Sequence, residues 1–383
     1  MFFHKNKNSG VTAEIRIKRC YGCGAILQDQ DPNEVGYLPS EKFNSDEETL
    51  CERCYKLRHY SKYKATGDFS IDYVTILSHA KEENALICYV LNCFSLEGSL
   101  LKGIGKYFSD NVLVVLNKRD LLQKNYDEEY LKKRARKLLE EENITPKDII
   151  ITSSGSKNSN IDLLKEDIEK LRNNKSVYFV GAYQVGKSSL INSLLMNFSN
   201  STEKMITTSP YPGTTLDVIS IPLDEPTFLY DTPGIYNSSS IISFLEPEVV
   251  KVILPRGEVK PETYLCKEGQ SFLFSNFCRF DFVEGDKTNF TFYKSNDLTL
   301  QRAKINKADS LFASLAENVN LQARTEKIHK LDDMKKYSFT ALDNQPERIV
   351  IKGLGYIEFL GKGQKIDVYV PLPVEVIQEP SSL

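Results

Sequence analysis

The sequence predicts an α/β protein that carries a small cysteine-rich module before the α/β part and a β-rich α+β part after it. Two Cys-x-x-Cys pairs lie near the start of the chain. Short apolar runs then alternate with amphipathic helical patterns, which is typical of a parallel sheet covered by helices. Later segments alternate apolar and polar residues between turn signals, as antiparallel strands do. We therefore expect domains at 1–64, 65–240 and 241–383.

The composition indicates an ordinary globular chain. Of the 383 residues, 41% are hydrophobic and 26% are charged, and the net charge of −3 gives no overall attraction to nucleic acid. Residues 1–10 (MFFHKNKNSG) lack the apolar core of a signal peptide. Since no apolar run approaches the roughly 18 residues of a membrane span, we predict a cytoplasmic protein without a membrane partner.

The two cysteine pairs predict a structural zinc site. Cys20 and Cys23 form one pair and Cys51 and Cys54 the other, so four thiolates can surround one tetrahedral Zn²⁺. A redox role is the rival interpretation, but the thioredoxin-like βαβ context is missing. A four-thiolate iron centre is equally compatible with this spacing.

A basic and aromatic stretch follows the second pair. Residues 51–64 carry five Lys or Arg side chains against one Glu, a net charge of +4, with three tyrosines interleaved. Cations and aromatic faces together suit RNA. A solvated, charged helix end explains the same pattern, and both interpretations stay open.

The segment GAYQVGKSS (181–189) is a predicted phosphate-binding loop. It follows an apolar run, VYFV (177–180), and precedes a helical pattern, LINSLLMNF. Strand, glycine-bounded loop, Lys-Ser and helix is the context that the G-x-x-x-x-G-K-[ST] motif requires. Backbone N–H groups of such a loop and the helix N-terminus favour phosphate, while Lys187 supplies a positive charge and Ser188 a hydroxyl for Mg²⁺.

Four further segments at predicted strand ends indicate that the nucleotide is a guanine nucleotide and the domain Ras-like. They are NKRD (117–120), TSS (152–154), PGTT (212–215) and DTPG (231–234). The Asp120 carboxylate can accept hydrogen bonds from guanine N1–H and the 2-amino group, whereas adenine offers no donor there. Thr215 and Asp231 fit a Mg²⁺ site, and the Gly234 N–H fits the γ-phosphate.

These roles define a predicted site for GTP or GDP with Mg²⁺. Asn117 ties the base loop to the phosphate loop, Lys118 covers the base, and the TSS backbone faces guanine O6. The predicted nucleotide contacts are Asn117, Lys118, Asp120, Ser153, Ser154, Gly181, Tyr183, Gln184, Val185, Gly186, Lys187, Ser188, Ser189, Thr215, Asp231 and Gly234. The candidate catalytic residues among them are Lys187, Thr215, Gly234 and Gln184. The predicted Mg²⁺ site consists of Ser188 and Thr215, with Asp231 holding the ion through water.

The order of these segments is unusual. NKRD and TSS precede the phosphate loop, whereas most GTPases have the phosphate loop first. A parallel sheet whose ends lie close together tolerates such a circular permutation. The chain then leaves the domain directly after DTPG, so switch II leads into the next domain and can act on it.

The C-terminal part is predicted to be a recognition module without chemistry of its own. VKVILPRGEV, SFLFSNFCRFDFV, TNFTFYKS, ERIVIKGLGYIEFL and KIDVYVPLPVEVI are interpreted as strands. KADSLFASLAENV and a charged stretch near 325–337 are interpreted as helices. The four remaining cysteines, Cys88, Cys93, Cys266 and Cys278, are expected in the core.

Taken together, the cysteine module, the order NKRD–phosphate loop–PGTT–DTPG and the β-rich end resemble the YqeH family of ribosome-assembly GTPases over essentially the whole chain. ILPRGEVKPETYLCKEGQSFLF and VIKGLGYIEFLG are similar to that family as well. The resemblance implies a treble-clef-like zinc site, a C-terminal part that resembles an RNA-binding regulatory domain, and a partner in the ribosomal small subunit or its rRNA. The oligomeric state stays unknown.

The sequence departs from the family in two places. The family usually carries asparagine at the fourth position of the phosphate loop, where this chain has Gln184, so K⁺, the further cofactor that the resemblance implies, is expected to act weakly. Two aspartates usual after the first strand are replaced by Asn92 and Ser95, for which we have no physical account. Ile235 stands where Ras-like enzymes often carry a water-orienting glutamine, so slow GTP hydrolysis is expected.

The leading hypothesis is a GTPase switch that associates with RNA or ribosomes. A zinc-stabilised, GTP-binding interaction scaffold with negligible turnover is the alternative. A metabolic enzyme is disfavoured because no second catalytic constellation appears.

Overall fold

A computed structural model describes residues 26–32, 36–43, 51–52, 69–153, 160–198, 207–210, 216–224, 226–243, 245, 247–318 and 331–381. The helices within these ranges are α1 (Ser40–Phe43), α2 (Ile71–Glu82), α3 (Leu96–Ser99), α4 (Glu128–Glu141), α5 (Ile161–Arg172), α6 (Lys187–Phe198), α7 (Pro247–Ile253) and α8 (Ile305–Asn318). None of these helices is long and apolar enough to cross a membrane.

The strands are likewise numbered in chain order. Those of the first sheet are β1 (Leu86–Asn92), β2 (Val112–Asn117), β3 (Asp148–Ile151), β4 (Val177–Gly181), β5 (Thr207–Pro210), β6 (Asp217–Pro222) and β7 (Phe228–Asp231). Those that follow are β8 (Glu262–Cys266), β9 (Gln270–Phe274), β10 (Cys278–Glu284), β11 (Thr288–Tyr293), β12 (Leu300–Lys304), β13 (Met334–Thr340), β14 (Pro346–Ile351), β15 (Gly355–Leu360), β16 (Lys365–Pro371) and β17 (Val376–Pro380).

The first sheet has the order β3-β2-β1-β4-β7-β6-β5. Its first five members run parallel, and β6 and β5 are antiparallel additions at one side. Every residue of β1, β2 and β4 is buried, which explains why these strands are nearly continuous apolar runs. Because parallel strands end at the same edge, the residues after β1, β2, β3, β4 and β7 meet there.

Amphipathic helices cover the sheet. In α4, the buried residues Leu131, Ala135 and Leu139 recur every four positions and form one face. Asp127 caps the start of this helix, because its carboxylate accepts from the N–H groups of Glu129 and Tyr130 at 2.9 and 3.1 Å. The apolar residues of α4, which recur with the 3.6-residue period of a helix, therefore form the face that packs on the sheet.

The C-terminal part contains two five-stranded antiparallel sheets. Their orders are β12-β9-β10-β16-β13 and β17-β14-β15-β11-β8. Buried phenylalanines from both sheets pack together, with ring centroids of Phe272 and Phe292 4.7 Å apart and those of Phe280 and Phe290 5.1 Å apart. The period-two pattern of the sequence thus provides one apolar face for each sheet.

Two predictions for this part were wrong. VKVILPRGEV begins as the end of helix α7, because Val250, Ile253 and Leu254 recur at helical spacing and bury one face. The helix predicted near 325–337 is wrong only for the end of that stretch, since 334–337 belong to strand β13, which pairs with β16 from Met334 to Thr340. Pairing with a neighbouring strand outweighs the helical preference of its charged residues. Residues 325–330 lie outside the described residues.

The prediction for the remaining cysteines is confirmed, since Cys88, Cys93, Cys266 and Cys278 are all buried. Burial raises the pKa of each of these thiols, so they stay protonated. They therefore behave as small apolar core residues.

A buried ion network joins the first sheet region to the C-terminal sheets. Glu97 of α3 pairs with Arg134 of α4 and with Arg348 of β14, whose Nη2 lies 3.3 Å from the Glu97 carboxylate. Both arginines also pair with Glu379 of β17. Since Glu97 and Arg348 are 3% and 1% exposed, each charge depends on its partners for compensation.

Candidate functional site

The predicted phosphate loop connects β4 to α6 at the centre of the sheet. Two backbone hydrogen bonds join it to the segment after β7. The Tyr183 N–H donates to the Ile235 carbonyl at 2.7 Å, and the Ile235 N–H donates to the Gly181 carbonyl at 3.2 Å. The rings of Tyr183 and Tyr236 stack with centroids 4.7 Å apart. The phosphate loop and the DTPG segment are therefore held side by side.

Gly186 shows why this loop requires glycine. Its φ of 91° lies in the left-handed region, and a Cβ there would lie 2.6 Å from Nδ2 of Asn117. Asn117 is fully buried and uses that nitrogen to donate to the Val185 carbonyl at 3.0 Å. The last residue of β2 thus reaches the phosphate loop through a gap that only glycine leaves open.

Lys118 makes the second contact between the two loops. Its backbone is left-handed, with φ of 65°, and its ammonium group donates to the Gln184 carbonyl at 2.8 Å. Burial lowers the pKa of Lys118 to about 8, while Asp120 opposes the shift. Asp120 accepts from the Ser153 hydroxyl at 2.5 Å, so NKRD and the TSS turn also meet.

Lys187 is the buried cation of the phosphate loop. It is 6% exposed, and its ammonium group donates to the Gly181 carbonyl at 3.2 Å. Burial lowers the pKa of Lys187 to about 8, and the nearby Asp231 carboxylate opposes the shift. A buried ammonium group with one carbonyl partner is a strong electrostatic site for an anion.

Ser188 and Asp231 place two oxygen donors beside Lys187. The Ser188 hydroxyl donates to the Asp231 carboxylate at 2.8 Å. A hydroxyl and a carboxylate are the hard ligands that Mg²⁺ takes in phosphate sites, so this pair fits the ion. Within the described ranges, no cluster of three or more His, Cys, Asp or Glu side chains could hold a metal by itself. A Mg²⁺ ion here would depend on phosphate oxygens and water as well.

Gly234 lies close to the phosphate loop. A Cβ on this residue would lie 3.0 Å from the Cα of Tyr183 and 3.4 Å from Nζ of Lys187. The DTPG backbone therefore approaches the lysine that the sequence assigns to the outer phosphates. Val185 is buried in the same loop, and Ser189 is exposed on the first turn of α6.

Several predicted site residues lie outside the described residues. These are Ser154, Thr215 and three of the four cysteines, namely Cys20, Cys23 and Cys54. Cys51 is described and is fully buried. The zinc site and the switch I contribution to the Mg²⁺ site therefore stay predictions.

Three polar residues at the site were not predicted. Thr152 donates its hydroxyl to Oδ1 of Asn117 at 3.3 Å, and Thr232 donates its hydroxyl to the Phe179 carbonyl at 2.7 Å. Tyr73 of α2 lies against Thr232, with 2.6 Å between their side-chain oxygens. Thr152 and Thr232 stand within the TSS and DTPG segments and could have been included, whereas no sequence pattern marks Tyr73.

Two separate regions of the chain match known protein families. The family described as "50S ribosome-binding GTPase" matches residues 176–262, which contain the phosphate loop and DTPG. The family described as "YqeH-like, C-terminal" matches residues 287–381. The protein named "Uncharacterized protein YqeH" from Bacillus subtilis (strain 168) is 32% identical over 93% of this chain and 97% of its own length.

The chain belongs to the YqeH family. The GTPase domain matched at residues 176–262 makes it a GTP hydrolase. More distant similarity links it to the "NO-associated protein 1, chloroplastic/mitochondrial" of Arabidopsis thaliana, at 24% identity over 95% of this chain and 76% of the relative. "GTPase Era" of Thermoanaerobacter sp. (strain X514) is 28% identical over 53% of this chain and 70% of the relative.

Proposed function

We propose that this YqeH-family chain is a guanine-nucleotide switch whose GTPase domain is circularly permuted. The contact between NKRD and the phosphate loop carries the proposal. Asn117 donates to the Val185 carbonyl and Lys118 to the Gln184 carbonyl, although both precede the phosphate loop by more than 60 residues. Contact between these two segments, with NKRD earlier in the chain, is what a circularly permuted Ras-like domain would require.

The proposed roles follow from the chemistry of each position. The Asp120 carboxylate accepts hydrogen bonds from the N1–H and 2-amino groups of guanine. Lys118 and Asn117 hold the base loop against the phosphate loop. Lys187 and the phosphate-loop N–H groups bind the β- and γ-phosphates. Ser188 and Asp231, with Thr215, hold Mg²⁺, which when bound neutralises charge on the phosphate oxygens.

The segment after DTPG supports coupling to the C-terminal part. The Asn237 side chain donates to the carbonyls of Gly98 and Leu100 at 3.1 and 3.0 Å, beside α3. A few residues on, the Ile241 N–H donates to the Lys352 carbonyl at 2.9 Å. Switch II thus leads directly into contacts with the C-terminal sheets. We propose that the nucleotide state moves this segment and so changes the surface that a partner binds.

The ribosome is the proposed partner. The family described as "50S ribosome-binding GTPase" matches residues 176–262, which supports a ribosomal partner. That description names the large subunit, whereas the proposal of the small subunit rests on the resemblance to the YqeH family of ribosome-assembly GTPases. The predicted zinc module and the β-rich part are the proposed surfaces for RNA or protein. We propose a cytoplasmic role in assembly of the small subunit, with the cysteine module and its basic stretch contacting RNA.

Sedimentation of the purified protein with separated ribosomal subunits tests this proposal. We expect binding to the small subunit that differs between GDP and a non-hydrolysable GTP analogue. Asp120→Asn is the matched control, because it keeps the fold while weakening guanine recognition and should lose the difference. Equal binding in both nucleotide states, or binding to the large subunit alone, would contradict the proposed role.

A further inference from the structure

Helix α2 is hydrogen-bonded to the DTPG loop across the nucleotide-binding edge of the sheet. Tyr73, on the first turn of α2, is 4% exposed, and its hydroxyl oxygen lies 2.6 Å from the hydroxyl of Thr232. Thr232 is 2% exposed and also contacts the Phe179 carbonyl of β4 at 2.7 Å. The bond joins residues that are 159 positions apart in the chain.

Proton counting fixes the direction of this bond. A threonine hydroxyl has one proton, and Thr232 gives it to the Phe179 carbonyl, which can only accept. Tyr73 must therefore donate to Thr232. Burial raises the pKa of Tyr73, and the negative charge of Asp231 adds to the shift, so the phenol keeps its proton throughout the physiological range. The chain of bonds is directional, from Tyr73 through Thr232 to the central strand.

Thr232 lies between the two residues of DTPG that face the proposed nucleotide. Asp231 precedes it and accepts from Ser188 at the Mg²⁺ position. Gly234 follows it and lies near Lys187, at the γ-phosphate position. A hydroxyl that holds Thr232 on β4 therefore fixes the start of the segment that distinguishes GTP from GDP.

The topology explains why this bond is needed. The chain leaves the sheet region after β7, while α2 enters it and leads into β1, two strands away in the order β1-β4-β7. If the domain is permuted as proposed above, these are the two sides of the break. In an unpermuted chain the residues after DTPG would continue into the helix before the next strand. Here α2 is joined to the DTPG loop by this hydrogen bond instead.

We propose that Tyr73 is a positioning residue for γ-phosphate recognition. It donates to Thr232 and holds the DTPG loop where the Gly234 N–H meets the third phosphate. This inference rests on the proposed nucleotide site. Loss of the Tyr73 hydroxyl weakens binding of GTP more than binding of GDP, because GDP has no group at that position.

The test compares affinities for GDP and for a non-hydrolysable GTP analogue in five variants of the full chain, namely four single variants and the double variant Tyr73→Phe/Thr232→Val. Tyr73→Phe removes only the donor, Thr232→Val removes the hydroxyl between donor and strand, and Thr232→Ser retains it. Tyr89→Phe is the matched control. Tyr89 is fully buried in the same sheet region, and its hydroxyl accepts from the Leu101 N–H at 2.9 Å, in a bond that involves no residue of the predicted nucleotide segments.

We expect Tyr73→Phe and Thr232→Val each to weaken analogue binding about fivefold, the factor that corresponds to about 1 kcal/mol. GDP affinity should change less than about twofold in the same variants. The double variant should lose little more than either single one, because the two hydroxyls act in one bond chain. Thr232→Ser should behave as wild type, and Tyr89→Phe should lower the melting temperature without changing the ratio of the two affinities.

Equal losses for GDP and the analogue, or an unchanged ratio in Tyr73→Phe, would reduce Tyr73 to an ordinary buried hydroxyl and overturn the inference. A wild-type protein that binds no guanine nucleotide would overturn the proposed function and this inference together. The two failures are therefore distinguished by the wild-type measurement.

Discussion

Raising the pH should weaken guanine-nucleotide binding, because Lys187 loses its positive charge. Burial lowers the pKa of this ammonium group to about 8, whereas an exposed lysine titrates near 10.4. Phosphate beside the ammonium group raises the pKa again, since negative charge favours the protonated form. Nucleotide binding above pH 8 therefore takes up a proton, and the affinity must fall as the pH rises.

The pKa of about 8 gives the size of the effect. At pH 9, about one tenth of the Lys187 side chains carry a charge before binding, so GDP affinity should be about tenfold lower than at pH 7.5. That factor corresponds to about 1.4 kcal/mol. At pH 8 the loss relative to pH 7.5 should be only about 1.5-fold. Phosphate ionisation adds little, because the second phosphate pKa of about 6 lies well below this range.

Titration with a fluorescent GDP between pH 7.5 and pH 9.5 measures the slope. Calorimetry in two buffers of different ionisation enthalpy counts the protons taken up, which should approach one per site at pH 9 if Lys187 alone responds. Lys187→Arg is the control, because a guanidinium group stays charged throughout this range. Its affinity should be lower overall, and any pH dependence that is left should be only the contribution of Lys118. Burial also lowers the pKa of Lys118 to about 8. The variant Lys118→Arg therefore measures how much of the pH dependence of GDP affinity comes from Lys118.

A flat affinity profile in the wild type would refute this reasoning. So would an equal slope in Lys187→Arg, since the pH dependence would then arise from another group. Absence of proton uptake at pH 9 would show that the ammonium group stays charged despite its burial.

Four further predictions concern other parts of the chain. Cys51→Ser should lower the zinc content from one ion per chain, measured by elemental analysis, and leave GDP affinity largely intact; a large loss of GDP affinity would contradict an independent module. Asp120→Asn should weaken GTP binding more than tenfold, about 1.4 kcal/mol, while xanthosine triphosphate improves relative to GTP; unchanged GTP affinity would exclude NKRD as the base loop. Hydrogen exchange in 235–260 should differ between GDP and GTP-analogue states, and identical exchange would leave switch II uncoupled. Wild-type GTP hydrolysis should be slow, and its rate should differ little between KCl and NaCl. Gln184→Asn should increase the response to K⁺, because asparagine adopts the left-handed backbone at this position (φ of 68°) more readily than glutamine. A strong K⁺ response of the wild-type enzyme would contradict this prediction.

The local motifs were predictable because each depends on residues close together in the sequence. The phosphate loop needs a strand, two glycines and a helix in succession, and the buried runs of β1, β2 and β4 show the continuous apolar pattern of parallel strands. That NKRD should lie near the phosphate loop followed from the shared edge at which parallel strands end. The hydrogen bond from Asn117 of NKRD to the Val185 carbonyl of the phosphate loop confirms that the two segments are adjacent.

Features that depend on distant partners left no such pattern. Strand β13 resembles a charged helix until its pairing with β16 is known. Helix α7 resembles a strand because valine and isoleucine favour strands when context is ignored. The hydrogen bond between Tyr73 and Thr232 depends on tertiary packing. No pattern in the sequence marks these two residues as partners.

The ion network of Glu97 has a consequence for the way the chain unfolds. Glu97 contributes from α3 beside the first sheet, and Arg348 from β14 of the C-terminal sheets, and both are buried. If one core melted while the other stayed folded, the Glu97–Arg348 pair would break, although Glu97 would keep Arg134 and Arg348 would keep Glu379. The Val259 N–H bond to the Leu121 carbonyl, 2.9 Å long and next to the base loop, would break as well. Partly melted forms are therefore penalised, so both cores should melt in one cooperative transition, and a guanine nucleotide bound to one of them should protect both against heat.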